Sequence, residues 1–251
     1  MELKTEKEIL QDVEKRVSWI KKVLETSRAK GIVFGNSGGK DCTLVGILCK
    51  KATENVECII MPCEAKRNFL VDKNDALLVC DKYDIKHLEV DLTPVKKAFR
   101  EVLNNSVDEN NVMAYANINP RIRMTTLYAY AYEKNYLVAG TGNRSERVMG
   151  YFTKFGDGGY DFNPISDLTA TEVFRYLEVL NAPREIIDKA PSAGLFEGQT
   201  DEKEMGLTYK DLDTYILTGE GTDELKNKVD ATYNRTKHKR APLLNYPNEI
   251  E

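Results

Sequence analysis

A short apolar run, Gly31-Ile32-Val33-Phe34-Gly35, leads directly into the turn Asn36-Ser37-Gly38-Gly39-Lys40-Asp41-Cys42 and then into a helical stretch over residues 40–52. A strand that becomes a helix through so tight a turn sends the next strand back parallel to the first, because the helix has to pack along the sheet. The pattern then repeats. Residues 56–62 read as a second strand ended by Pro62, a helix is expected near 68–82, and residues 87–90 read as a third strand. A long helix over 109–134 precedes a fourth strand at 136–140. Strands alternating with helices predict an α/β fold, a doubly wound, Rossmann-like parallel sheet with helices on both faces.

The flanks agree with this frame. Thr5-Glu6-Lys7-Glu8 reads as a capping box, and Ile9, Val13, Val17, Ile20 and Leu24 recur at helical spacing behind it, giving a helix over 6–29. Helices near 169–180, 208–217 and 222–236 finish the chain. Residues 1–251 contain no repeat, low-complexity tract or long linker, so one domain is expected.

Charge and hydropathy exclude several classes. With 36 basic and 40 acidic residues the net charge is −4, which gives no global attraction to nucleic acid or an anionic membrane. Apolar stretches are only a few residues long, and the first eight residues lack the apolar core of a secretory signal, so a cytoplasmic, membrane-free protein is expected. The five cysteines show no CxxC spacing and read as small buried hydrophobes.

The turn from Gly35 to Cys42 carries the chemistry. Anions bind at the carboxyl ends of parallel strands, where a helix N-terminus offers unpaired amides. Gly38 and Gly39 allow close backbone approach, Ser37 adds a hydroxyl, and Asp41 makes sense beside a phosphate if a divalent cation lies between them. The turn fits neither GxxxxGK[ST] nor GxGxxG. It resembles the SGGxDS signature of the PP-loop ATP pyrophosphatases, with Cys42 in place of the last serine. A thiol at a helix start can be acidified, but this chemistry needs no thiolate.

Later segments narrow the resemblance. Asn119-Pro120-Arg121-Ile122-Arg123-Met124, Gly140-Thr141-Gly142-Asn143-Arg144-Ser145-Glu146, the run from Gly150 to Asp161, and Pro191-Ser192-Ala193-Gly194-Leu195 together resemble the ammonia-dependent NAD+ synthetases over nearly the whole chain. The resemblance implies an adenine nucleotide alpha hydrolase-like fold and a ligase. That ligase would adenylate the nicotinate carboxylate of deamido-NAD+ with ATP and then amidate it with ammonia.

The same resemblance assigns residues. Gly35, Asn36, Ser37, Gly38, Gly39, Lys40, Asp41 and Cys42 would hold ATP phosphates, with Thr141 and Ser192 also contacting ATP. Asp41 and Glu146 would share Mg2+, and Arg121, Lys154, Asp161, His238 and Lys239 would hold deamido-NAD+. Asp41, Lys154 and Asp161 are the expected catalytic set, with Asp157 or Asp161 taking the proton of ammonium. Relatives often carry an ATP-contacting lysine where this chain has Ala170, a loss that Lys40 or Lys189 could offset. Residues 62–68 and 193–208 read as closing loops. No segment remains for a glutaminase domain, which implies free ammonia or a separate glutaminase. The family is homodimeric, and the stripe of helix 6–29 and Tyr128–Tyr132 are candidate contact surfaces. The rivals are another PP-loop enzyme, modifying tRNA or making GMP or asparagine, and a non-catalytic nucleotide-binding regulator.

Overall fold

A computed structural model describes residues 3–65, 68–104, 106–108, 110–189 and 201–243. Its sheet has four parallel strands, β1 (Gly31–Gly35), β2 (Val56–Ile60), β3 (Lys86–Glu89) and β4 (Tyr136–Val138), in the order β3-β2-β1-β4. Ile32 pairs with Val56, Gly31 with Tyr136 and Glu57 with Lys86. The chain therefore steps outward from β1 to β3 and then returns to the other side of β1. That reversal opens a crevice beyond the carboxyl ends of β1 and β4, where doubly wound sheets bind ligands.

One face of the sheet is covered by α1 (Glu6–Ser27), α2 (Lys40–Ala52) and α8 (Ala170–Val179), which bury Ile9, Val13, Ile20, Leu44, Leu48 and Leu177 against Ile32 and Phe34. The capping box of α1 forms as expected: Thr5 N donates to Glu8 Oε2 at 2.8 Å, and Glu8 N donates to Thr5 Oγ1 at 3.4 Å. Its apolar stripe lies inside this core, so the stripe is not a surface for a partner. The other face is covered by α6 (Ile118–Lys134), whose Ile122, Leu127 and Ala131 meet Val33, Ile59 and Val138. A π-helical turn at Asn68–Asp72 leads into α3 (Lys73–Tyr83) at the edge of the α2 layer. After α7 (Arg144–Met149) and α9 (Arg184–Ile187), a satellite core joins Met149 to Met205, Leu212 and Val229. Those residues come from α10 (Asp201–Met205), α11 (Tyr209–Thr218) and α12 (Asp223–Arg235); α13 (Lys237–Arg240) ends the described chain.

The expected helix over 109–134 is two helices. α5 (Val112–Ala116) stops at Asn117, whose Oδ1 accepts a hydrogen bond from Thr153 Oγ1 at 2.6 Å, and α6 starts at the next residue. Pro120 sits in the first turn of α6, where its missing N–H costs nothing. Sequence periodicity also passed over α4 (Thr93–Leu103). Its Val95, Phe99 and Val102 point outward while Lys96 is buried and pairs with Glu64 at 2.8 Å, the reverse of the usual pattern. Among the described residues, no helix is long and apolar enough to cross a membrane.

Candidate active site

The turn between β1 and α2 is held from below by Asn36. This residue is buried; its Oδ1 accepts from Gly38 N at 3.0 Å and from the Cys42 thiol at 3.3 Å, and its Nδ2 donates to Ala76 O at 3.2 Å. Asn36 therefore shapes the turn, and the surface offered to a ligand is backbone. Gly38 has φ +66, and a Cβ there would lie 2.5 Å from Asp72 O, so only glycine fits. Gly39 caps α2 in an extended conformation with no side-chain hydrogen bond, leaving the first amides of that helix open to an anion.

Cys42 is buried, and burial pushes its thiol pKa up, with partial opposition from Ser37 hydrogen bonds. It behaves as a small protonated residue. Lys40 donates to Lys189 O, and desolvation lowers its pKa. Lys189 is clamped between Asp72 at 2.9 Å and Asp75 at 2.6 Å, with a long bond to Gly38 O at 3.4 Å. It braces the turn against the π-helical segment.

Across the crevice, β4 runs through Thr141 into α7. Asn143 caps this helix: its Oδ1 accepts from Glu146 N at 2.9 Å, while Glu146 Oε2 accepts from Asn143 N at 2.9 Å. The same buried side chain donates from Nδ2 to Asp41 Oδ1 at 3.0 Å. One asparagine thus links the two carboxylates singled out from the sequence. It had not been singled out itself, although an asparagine three residues before a glutamate is a capping-box signal. Among the described residues no group of three or more His, Cys, Asp or Glu is placed to bind a metal. Two hard oxygen donors beside a phosphate-binding turn do fit Mg2+, which commonly takes one or two carboxylates and completes its shell with substrate phosphates and water.

These groups line one cavity of about 1040 Å³. Its phosphate-loop wall carries Ser37, Gly39, Lys40, Asp41 and Cys42, and Thr141 and Glu146 stand opposite. Ala170 lies on the wall as well. The far end is formed by Gly150–Gly159 together with Lys239, which donates to Gly150 O and Phe152 O at 2.7 Å each and whose pKa is lowered by desolvation. Asp157 lines this end; burial raises its pKa even though it accepts from Thr153 N at 2.8 Å. Arg123 is not a solvated helix charge. It faces the same cavity, donates from Nε to Met61 O at 3.2 Å, and has its pKa lowered by burial.

The remaining expected contacts lie off this wall. Asp161 accepts from Val138 N at 2.7 Å and from Tyr128 OH at 3.1 Å, bracing the end of β4. Lys154 donates to His238 O at 2.9 Å, and exposed Arg121 reaches only Asn117 O at 3.4 Å. Ser192 lies outside the described residues, as do 66–67 and 193–200 of the two expected closing loops. Of the rest, Pro62 and Cys63 are buried, and 201–208 begins with a helix that buries Met205.

Sheet order and a glycine turn between β1 and α2 define an α/β protein of the Rossmann-like PP-loop type. Residues 12–242 match the NAD synthase family model. The NH(3)-dependent NAD(+) synthetase of Carboxydothermus hydrogenoformans is 48% identical over 90% of this chain and 93% of its own. The solved NMN synthetase of Francisella tularensis superposes with a TM-score of 0.89 at 34% identity, covering 96% of this chain and 99% of that one. The NH3-dependent NAD synthetase of Campylobacter jejuni, solved with nitrate, superposes at 0.77 with 29% identity, covering 97% and 99%. The chain belongs to the NAD synthase family and is a ligase that forms a carbon–nitrogen bond.

Proposed function

We propose that this enzyme uses ATP and ammonia to convert deamido-NAD+ into NAD+ in the cytoplasm, with Mg2+ as its metal. The observation that carries the reading is the Asp41–Asn143–Glu146 link facing the glycine turn across a shared cavity. A nicotinate carboxylate oxygen attacks the α-phosphorus of ATP, the bond to the bridging oxygen breaks, and pyrophosphate leaves. Ammonia then attacks the acyl carbon, and AMP departs with the bond electrons. Bound Mg2+, held by Asp41 and Glu146, would neutralise charge on the phosphates. The α2 amides and Ser37 orient the triphosphate, and Lys239 and Arg123 offset the repulsion between two anionic nucleotides.

The acceptor of ammonium's proton is Asp157 in this reading. It lines the cavity with a raised pKa suited to a base, whereas the two oxygens of Asp161 are engaged by Val138 N of β4 and Tyr128 OH of α6. Ammonia arrives free or from a separate glutaminase. Two copies pair as a homodimer with the dinucleotide site near their contact; of the candidate surfaces, Tyr128–Tyr132 still faces outward at Tyr132, which is 92% exposed.

A second reading rests on the high structural likeness to the Francisella NMN synthetase: amidation of nicotinate mononucleotide. The test supplies ATP, Mg2+ and ammonium with either acceptor. Equal AMP, pyrophosphate and NAD+ with deamido-NAD+, and their loss in the Asp41→Ala/Glu146→Ala variant, support the first reading. Faster turnover of the mononucleotide supports the second, and turnover of neither removes both.

A further inference from the structure

Asp213, on α11, takes part in none of these steps, yet it is fully buried. Its Oδ1 accepts from Ser145 Oγ, and its Oδ2 accepts from Thr171 N at 2.7 Å and Thr171 Oγ1 at 2.6 Å. Ser145 Oγ in turn accepts from Ala170 N at 3.0 Å. One carboxylate thus ties α11 to α7 and to the first turn of α8. Both attachment points adjoin the active site: Ser145 precedes Glu146, and Ala170 and Thr171 line the cavity.

Such a group is an expensive way to stabilise a core. Among the described residues, the groups acting on it are hydroxyls, an amide and the like-charged Glu172, and none of these is a cation that would compensate burial. What it supplies is direction. α7 has only six residues, too few for its own hydrogen bonds to fix its roll, and the Asn143 cap of that helix links Glu146 to Asp41. Holding Ser145 therefore holds the Glu146 carboxylate relative to Asp41.

We propose that Asp213 is a positioning residue for the magnesium–ATP site, acting through Ser145 on α7 and through Thr171 on the α8 wall. The inference rests on the nucleotide reading above. Calorimetric titration of the folded protein with ATP, with and without Mg2+, tests it. Asp213→Asn is expected to weaken Mg·ATP binding by about tenfold or more, as loss of an outer-shell partner does elsewhere, while binding of ATP alone changes far less. Ser145→Ala, which breaks the same relay without touching the carboxylate, is expected to do likewise and serves if Asp213→Asn does not fold. Val229→Ala, in the same satellite core but outside the relay, is the control: it lowers Tm and leaves Mg·ATP binding unchanged. Wild-type affinity in the relay variants, or equal weakening in Val229→Ala, overturns the proposal. A folded wild-type protein that fails to bind ATP overturns the nucleotide reading itself, and this inference with it.

Discussion

The two ends of the cavity are built differently. The phosphate-loop end is eight consecutive residues whose ligand surface is main chain apart from Ser37 and Asp41, fixed by one buried asparagine and one left-handed glycine. The far end is assembled from segments more than 80 residues apart, with Lys239 of α13 holding two carbonyls of the 150–152 turn. On the α1 face, Arg16 donates to Pro164 O at 2.6 Å and forks onto Asp167 at 2.6 and 2.7 Å. A main-chain wall tolerates changes of side chain but no change of backbone, whereas a side-chain wall fails one contact at a time.

The largest effect that would separate the two ends is expected from Gly38→Ala. Left-handed backbone costs about 1–2 kcal/mol without glycine, and the new methyl would strike Asp72 O. Displacing the turn by even an ångström is expected to cut kcat/KM for ATP by about 100-fold, read by pyrophosphate release. At the far end, Lys239→Met leaves two carbonyls without their donor, a loss of about 1–3 kcal/mol. Its KM for the dinucleotide is expected to rise about tenfold while KM for ATP holds; equal rises would show that the ends are not separable.

A smaller, pH-dependent effect is expected where α1 meets the 164–167 segment. Desolvation alone would raise the Asp167 pKa, but the hydrogen bond and charge of Arg16 outweigh it, and Asp12 is likewise held low. Carboxylates with lowered folded pKa values contribute stability above their unfolded value near 4 and lose it as pH falls through the folded one. Tm measured from pH 5 to 3 is therefore expected to fall less steeply in Arg16→Met. Asp167 is 66% exposed, so screening limits the difference to about 2–4 °C. The smallest effect belongs to Cys42→Ser: its thiol is buried and protonated, so kcat is expected to stay within about threefold. A larger loss would make the thiol a participant and the loop end more than main chain.

Legibility in the sequence followed the range of the interactions. β1, the turn after it and α2 were readable because strand, glycines and helix start are contiguous. The Thr5–Glu8 capping box was readable for the same reason. α4 was not, since it turns its apolar residues outward and buries Lys96 against Glu64, an inversion that only a long-range ion pair permits. The division of 109–134 at Asn117 depends on Thr153, thirty-six residues away. Arg123 was not among the expected site residues, because helical spacing says nothing of what packs over a helix.

The sequence by itself determined the alternation of strands and helices and the glycine turn that carries Asp41, because each is written in neighbouring residues whose backbone preferences act locally; Glu146 was singled out only by the family resemblance. Tertiary structure alone decided that Asn143 would join those acids, that Asp157 rather than Asp161 would face the cavity, and that a buried carboxylate on α11 would bond to Ser145 of α7. Those outcomes depend on which distant groups share a volume from which water is excluded, and no local preference encodes that.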